Sequence, residues 1–278
     1  MSSKVLQTSP AFLVQDSATA PMGVLRLVGP DAARFLQGQV TQDVVALPAG
    51  HWARAALCTA QGRVLTLLKV VAVPEGLWLV MPAERVAAIR EHLQRFVFRA
   101  KVKLVAEDCP KVITCPGDGS VPTASGQAFQ PLQGEATAPV LVVSATRRLV
   151  IGATANAGAT DEMNWPEWLA ACVADGEPEV FTASAESWTP HMLAQDHWHS
   201  ISLTKGCYTG QEIVARTHYL GKNKRRLERV ALPAGTLPAP GETLDLPDGR
   251  RGEWVLGVAR ESAGDGLVVT TALEAPPP

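Results

Sequence analysis

The chain has 278 residues, 46% of them hydrophobic, and a formal net charge of −2, so it is long enough to bury a sizeable core in two or three compact units. A nearly neutral chain without a long basic or acidic run is not expected to be a general nucleic-acid-binding or membrane-surface protein, which argues against direct RNA binding. The five cysteines have no C-x-x-C spacing, a pattern typical of free thiols in a reducing compartment.

The sequence also argues against export and membrane insertion. Residues 1–6 lack the apolar core of a signal peptide, and the most hydrophobic stretch, 64–81, is interrupted by Lys69, Pro74 and Glu75. We therefore expect a cytoplasmic protein with no membrane partner.

The first part of the chain predicts an α+β unit. A strand at 24–28 precedes a short helix that turns Phe35 and Leu36 inward. After this helix, period-two alternation and turn residues predict three strands of a meander at 52–59, 64–73 and 77–81. A second helix then begins at Ala83, and a strand at 101–106 follows it. The helix should bury a stripe of Val86, Ile89, Leu93 and Phe96.

The middle of the chain is harder to assign. Residues 109–138 are rich in Pro, Gly, Ser and Ala with little periodicity, which predicts loops or a trimmed subdomain. Strands are expected at 139–144 and 147–153. A helix at 161–175 places four apolar residues on one face, and Gly176 should end it. These four residues are Trp165, Trp168, Leu169 and Cys172.

The last part predicts a small antiparallel β-barrel. Its strands are separated by Pro- and Gly-rich turns and lie at 225–232, 242–246, 254–260 and 267–273. The basic cluster at 222–226 is by default a solvated strand edge; a phosphate or folate-glutamate contact is the second interpretation and an RNA contact the third.

Residues 205–212, with the sequence KGCYTGQE, carry the clearest functional pattern; we call them the signature loop. Alternation at 201–204 predicts a strand before it, and helical spacing follows it, so Cys207 is expected at a strand-to-helix turn. Thr209 and Glu212 have the spacing of a capping box, and Gly221 is a suitable helix end.

A thiol at this position has two interpretations. A helix N-terminus and the nearby charge of Lys205 would both favour the thiolate of Cys207. Cys207 can equally be a small buried hydrophobic residue between glycines that are needed for the backbone. Spacing alone leaves both open.

The signature loop closely resembles the K-G-C-Y-x-G-Q-E motif of the YgfZ family, folate-binding proteins related to the glycine-cleavage aminomethyltransferase and linked to the maintenance of iron–sulfur proteins. Residues 35–43 (FLQGQVTQD), the N-terminal block, resemble a second recurring motif of that family. The resemblance covers most of the chain and is weakest between Asp108 and Thr160.

This resemblance implies an aminomethyltransferase-like, folate-binding α+β fold, with mixed or antiparallel sheets and helices around a central cavity and a small C-terminal β-barrel. The implied division is an N-terminal folate-binding region at 1–107, a middle α+β region at 108–221 that ends after the signature loop, and a barrel at 222–278. The implied cofactor is tetrahydrofolate or another folate, and the implied partners are iron–sulfur client proteins.

The resemblance also nominates site residues. Cys207 and Lys205 are the expected catalytic pair. The expected folate-binding residues are Trp168, Met22, Tyr208, Gln211 and Arg225. Trp168 matches a pocket tryptophan of the family, although core packing explains a tryptophan equally well. Met22 stands where the family has a second tryptophan, and its thioether cannot replace an indole hydrogen bond.

Other polar residues are weaker candidates. His191, Asp196, His197 and His199 lie just upstream of the signature loop, but a metal site is less well supported than surface or capping roles. Three glutamines, Gln37, Gln39 and Gln42, are interpreted as solvated amides in preference to ligand contacts.

Three functions remain open. The first is a folate-binding accessory protein that supports the assembly or repair of iron–sulfur enzymes, including tRNA-modifying ones, with Cys207 as its thiol. The second is a folate-dependent aminomethyltransferase, which needs a carboxylate where this chain has Thr66 and Leu67. The third is a cysteine hydrolase that pairs Cys207 with His218 or His199.

Overall fold

The structure is a computed structural model that describes residues 22–107, 110–117, 119, 128–135, 138–152, 162–221, 224–232, 238–259 and 264–271. The N-terminal segment, Cys109, residues 222–223 of the basic cluster and the C-terminal tail lie outside these ranges. The helices are α1 (Ala32–Gln37), α2 (Val86–Gln94), α3 (Trp165–Asp175) and α4 (Gln211–Leu220).

Three antiparallel sheets hold the described strands. The first has the order β5-β1-β4-β3-β2-β7, the second β6-β10-β9-β8 and the third β11-β14-β13-β12. The strands are β1 (Met22–Val28), β2 (His51–Cys58), β3 (Val64–Val73), β4 (Gly76–Pro82), β5 (Lys103–Val105), β6 (Lys111–Pro116), β7 (Phe129–Pro131), β8 (Gln133–Glu135), β9 (Ala138–Ser144), β10 (Arg147–Gly152), β11 (Arg225–Leu232), β12 (Thr243–Asp245), β13 (Arg251–Ala259) and β14 (Gly264–Thr271).

The predicted meander is confirmed as β2, β3 and β4, and β1 pairs with β4. The inward-facing residues of β1 and β4 form a core with α1 and α2, in which Leu25, Leu36 and Leu93 are fully buried. The stripe predicted on α2 stops early, because the helix ends at Gln94 and Phe96 is 44% exposed.

Residues 109–138 contain strands, where the sequence predicted loops or a trimmed subdomain. Three strands, β6, β7 and β8, lie in this region, and β7 joins the first sheet beside β2. Two of them are only three residues long, which is too short for alternation to be recognised in a sequence. The division of the chain into regions at 1–107, 108–221 and 222–278 remains a prediction.

Helix α3 connects the three sheets. Asn164 and Glu167 form a capping box at its start, and Gly176 ends it with φ of 72°. Its buried face carries Trp168, which belongs to a core that also contains Val24 of the first sheet, Leu141 of the second and Val255 of the third. The α+β class is therefore confirmed, and one of its hydrophobic cores is shared by all three sheets.

Two sequence expectations differ from the structure. The C-terminal sheet has the four expected strands, but no ladder among the described residues closes it into a barrel. Residues 201–204 form no strand; they are an irregular segment whose Ser202 amide donates to the Thr41 carbonyl at 2.9 Å. In the described part of the chain, no helix combines the length and apolar character needed to cross a membrane.

Candidate functional site

The signature loop is anchored to the N-terminal block by a buried lysine. The Lys205 ammonium donates three hydrogen bonds, each 2.7 Å long, to the carbonyls of Gln37, Val40 and Gln42. An ammonium has three donors, so all of them are used. Lys205 is 7% exposed, and its ammonium therefore acts as a clamp between two segments that are far apart in the sequence.

Backbone and hydroxyl contacts reinforce this junction. The Thr41 hydroxyl donates to the Ser200 carbonyl at 2.6 Å, and the Thr209 amide donates to the Gly38 carbonyl at 3.1 Å. Thr41 is fully buried. Breaking such a hydrogen bond leaves a donor or an acceptor without a partner, which costs free energy. These bonds therefore hold both segments in position.

Two glutamines of the N-terminal block, Gln37 and Gln42, are internal braces, which corrects the expectation of solvated amides for these two residues. Gln42 is 2% exposed, and its amide nitrogen donates to the His199 carbonyl at 2.6 Å. Gln37 donates to Asp43 at 2.9 Å and accepts from the Val44 amide at 2.9 Å. Both side chains hold the loop that supplies the carbonyls for Lys205.

Two glycines allow the signature loop to approach the turn between β2 and β3. Gly210 has φ of 84°, and a Cβ there would lie 2.5 Å from the Thr59 carbonyl oxygen. Gly62 has φ of 69°, and its Cβ would lie 2.8 Å from Cβ of Ile213. Any side chain at either position would be strained and would push the loop away.

The predicted capping box at the start of α4 is wrong. The N-cap residue is Gly210, which makes no side-chain cap. Glu212 instead pairs with Arg216 at 3.1 Å along the exposed face of the helix. The close approach to the β2–β3 turn requires glycine at the cap, and this tertiary demand overrides the local spacing of Thr209 and Glu212.

Cys207 is the exposed thiol of the described chain. Cys58, Cys115 and Cys172 are buried, whereas Cys207 is open to solvent. Helix α4 begins after it, at Gln211. The thiol is accessible, and its loop is fixed on both sides by the contacts of Lys205 and Thr209.

Tyr208 and Gln211 flank this thiol. The Tyr208 ring is 8% exposed, and the Lys205 ammonium lies 5.0 Å from its centroid, a cation–π distance. Burial raises the pKa of Tyr208, and the neighbouring Cys58 adds to this effect. Gln211 is half-buried at the first position of α4, and its backbone N–H donates to the Tyr208 carbonyl.

A buried network of charges, which the sequence analysis did not identify, lies at the middle of the molecule. Arg147 is fully buried and donates to Asp175 at 2.7 Å, to Glu177 at 2.6 Å and to the Cys172 sulfur at 3.0 Å. The only sequence signal is a pair of glutamates, Glu177 and Glu179, in an otherwise apolar segment after α3.

Two further cations complete the network. Arg54 donates to Glu177 at 2.8 Å, and Lys69 pairs with Glu179. Burial opposes ionisation of Glu177, but the charges of Arg54 and Arg147 outweigh it and hold the pKa of Glu177 well below its usual range. Burial raises the pKa of Glu179, against the opposing charge of Lys69. The two neighbouring glutamates are therefore in different electrostatic environments.

Comparison with known proteins gives the family. No family model matches the chain. A tRNA-modifying protein YgfZ from Yersinia enterocolitica is 30% identical over 266 residues, covering 89% of this chain and 78% of that protein. The namesake from Yersinia pestis strain Pestoides F is 31% identical over 252 residues, with 84% and 73% covered. The chain belongs to the YgfZ family.

The fold has a solved relative outside that family. The crystal structure of glycine cleavage system aminomethyltransferase T from Bartonella henselae superposes with a TM-score of 0.63, covering 91% of this chain and 76% of the other at 15% identity. This likeness establishes that the YgfZ-family chain has an aminomethyltransferase-like fold.

The residues expected to bind folate do not form one cluster in this YgfZ-family protein. Met22 and Trp168 are 2% and 0% exposed and share the same core. Arg225 lies in the C-terminal sheet, where it pairs with Glu253 at 2.6 Å. The same carboxylate accepts from the Trp188 indole at 2.8 Å. Tyr208 and Gln211 remain with the signature loop.

Three polar atoms near the charge network lack hydrogen-bond partners among the described residues. They are Nε1 of Trp168, Nε1 of Trp52 and Oε2 of Glu179, all in the interior. The Arg147 guanidinium lies 5.0 Å from the Trp168 ring centroid. Buried polar groups are nearly always paired, so these two donors and this acceptor are exceptions within the YgfZ-family core.

The histidines upstream of the signature loop have separate roles. His191 is 5% exposed and lies 6.0 Å, centroid to centroid, from His218 of α4. The His199 carbonyl accepts from Gln42, and its side chain is exposed. Across the described ranges, no three or more His, Cys, Asp or Glu side chains are placed to hold a metal ion.

Proposed function

We propose that this YgfZ-family protein is a cytoplasmic, folate-binding accessory protein that supports the assembly or repair of iron–sulfur enzymes, including tRNA-modifying ones, with Cys207 as its functional thiol. The observation that carries the proposal is the anchored signature loop, which fixes an exposed Cys207 by the three hydrogen bonds of Lys205. The name of the Yersinia relatives, tRNA-modifying protein YgfZ, supports the link to tRNA modification.

The interior around Trp168 supports the folate part of the proposal. A pteridine ring carries hydrogen-bond donors and acceptors on one edge, and the unpaired atoms here offer both kinds: the indole nitrogens of Trp52 and Trp168 and the carboxylate of Glu179. Tetrahydrofolate, when bound, supplies a carrier for one-carbon units. Because Trp168 is fully buried, binding at its ring requires neighbouring side chains to move.

Lys205 has a positioning role in this proposal. Its ammonium is committed to the carbonyls of Gln37, Val40 and Gln42, so it is not free to transfer a proton without releasing the loop. Lys205, which was expected to be catalytic together with Cys207, is thus proposed to act through Cys207 by holding the segment that carries the thiol.

The two other functions are less well supported. Aminomethyl transfer needs a carboxylate near the folate amine, and the Thr66 side chain is buried in β3 with its hydroxyl donating to the Leu67 carbonyl at 3.3 Å. A cysteine hydrolase needs an imidazole beside the thiol. His218 lies two turns along α4, where its ring faces His191.

A titration with tetrahydrofolate, followed by tryptophan fluorescence, tests folate binding. We expect saturable quenching in the wild type and in Trp78→Phe, a change at a half-exposed indole on β4. Trp168→Phe should weaken binding about tenfold, because it removes an indole donor and part of the stacking surface. Absence of saturable binding by the wild type would exclude the folate part of the proposal.

Alkylation of the native protein with iodoacetamide tests the thiol. Peptide mass spectrometry should find Cys207 modified rapidly, whereas Cys58, Cys115 and Cys172 should react only after unfolding, because they are buried. Equal reaction of Cys207 and Cys115 in the folded protein would show that the signature loop does not present a distinctive thiol.

A further inference from the structure

A cleft of about 600 Å³ lies at the C-terminal end of α4. Its walls come from the segment 191–197, from the last turn of α4 and from the start of β11, and they include His191, His197, His218 and Arg226. The described lining contains neither Cys207 nor Trp168. Helix α4 has ten residues, so the cleft and the thiol lie at opposite ends of a rod about 15 Å long.

Imidazoles converge on this cleft from two elements. His191 and His197 belong to the segment before the signature loop, and His218 belongs to α4. The rings of His191 and His218 are 6.0 Å apart, centroid to centroid, with an angle of 36° between their planes. Both nitrogens of the His191 ring are buried, whereas His197 and His218 are exposed. Neutral imidazole has one N–H donor and the protonated form has two, so the rings of His197 and His218 provide the donors to this space.

Arg226 adds a permanent positive charge. On the same strand, Arg225 pairs with Glu253 at 2.6 Å and Arg229 pairs with Asp265 at 3.2 Å. Among the described ion pairs none involves Arg226, and its side chain is exposed where it lines the cleft. A guanidinium without an ion pair among the described residues, beside the exposed imidazoles of His197 and His218, is a side-chain set that recognises oxyanions.

The geometry favours phosphate over a carboxylate. Donors reach the cleft from the 191–197 segment, α4 and β11, and a phosphate group offers acceptor oxygens in as many directions, whereas a carboxylate offers two coplanar oxygens. The cleft volume falls in the range of small-molecule sites. We propose that this cleft binds the phosphate group of a small ligand through Arg226 and the imidazoles of His197 and His218.

One acid tempers this site. Asp196 also lines the cleft, and it is the carboxylate among the described lining residues. Burial lowers the pKa of His191, with the charge of Asp196 opposing this effect and His218 adding to it. Histidine is the side chain whose ordinary pKa lies between pH 5 and 8, so the imidazoles that line the cleft allow it to gain positive charge on acidification. Binding of an anion whose own charge stays constant should therefore strengthen as the pH falls from 8 to 6.

The test is a titration with inorganic phosphate, followed by the histidine Cε1–H signals in proton NMR at pH 7. We expect saturable shifts of His218 and His197. Arg226→Gln and His218→Gln, both at exposed positions, should each weaken binding about tenfold. Arg229→Gln is the matched control, because it makes the same charge change on the same strand and should alter binding less than about twofold. Equal weakening in Arg226→Gln and Arg229→Gln would overturn the proposal.

Three further anions sharpen the result. Sulfate keeps its double charge between pH 6 and 8, so stronger sulfate binding at pH 6 reports the histidines, and an unchanged affinity would contradict their role. Acetate binding as tightly as phosphate would overturn the choice of phosphate. Adenosine 5′-monophosphate distinguishes the sources: tighter binding than inorganic phosphate assigns a phosphate ester, and weaker binding assigns the free ion. These measurements use neither folate nor Cys207, so their failure leaves the proposed function untouched.

Discussion

Replacing Lys205 by methionine should detach the signature loop from the N-terminal block. Methionine keeps most of the apolar stem of lysine but removes the ammonium that bridges Gln37, Val40 and Gln42. Each buried carbonyl left without a donor costs about 1–3 kcal/mol, and relaxation of the loop recovers part of this. Summed over the three carbonyls and reduced by this relaxation, the cost expected for Lys205→Met is about 3–5 kcal/mol.

Urea unfolding followed by circular dichroism measures this loss. Lys103→Met is the matched control, because Lys103 is exposed on β5 and a surface change there should cost less than about 0.5 kcal/mol. Hydrogen exchange of the Thr209 amide, which donates to the Gly38 carbonyl, reports the junction itself and should accelerate in Lys205→Met. If Lys205→Met were as stable as Lys103→Met and left this amide protected, the clamp interpretation would be refuted.

Three other consequences can be measured on the purified protein. Gly210→Ala should destabilise the protein by about 2–4 kcal/mol in urea unfolding, because a Cβ there would lie 2.5 Å from the Thr59 carbonyl in a left-handed backbone; a cost similar to that of an exposed glycine such as Gly249→Ala would contradict the close approach. Arg147→Met leaves the carboxylate of Asp175 without an ion-pair partner among the described residues and that of Glu177 with Arg54 alone, and should cost about 3–5 kcal/mol; a neutral effect would show that the network is not formed. Burial lowers the pKa of Lys205 from 10.5 to about 8, against the charge of Asp43. Between these two pH values the unfolded chain binds more protons than the folded chain, so the stability advantage of the wild type over Lys205→Met should widen as the pH rises from 8 to 10.5. A narrowing difference in the free energy of unfolding would show the opposite shift.

Short-range structure could be predicted from this sequence. The meander of β2, β3 and β4 follows from alternation and from the turns at 60–63 and 74–76. The end of α3 at Gly176 and the four C-terminal strands follow from equally local signals. Each of these depends on residues within about ten positions of one another, which is the range over which periodicity and turn chemistry act.

Contacts between distant segments could not be predicted. The Lys205 ammonium reaches carbonyls that are 163 to 168 residues away in the chain. The bond from Arg54 to Glu177 spans 123 residues. The resemblance identified both the N-terminal block and the signature loop. Nothing in either sequence indicates that a lysine of the signature loop donates hydrogen bonds to three backbone carbonyls of the N-terminal block. The capping box failed for the same reason, because the approach of Gly210 to Thr59 is tertiary.

The central claim, that the exposed thiol on the anchored loop is the functional group, is tested most directly in cells that lack their own YgfZ-family protein. The quantity to measure is the activity of an iron–sulfur tRNA-modifying enzyme after complementation with wild type, Cys207→Ser or Cys115→Ser. Wild type and Cys115→Ser should restore the activity, since Cys115 is a buried thiol in β6, whereas Cys207→Ser should not. Full restoration by Cys207→Ser would contradict the account.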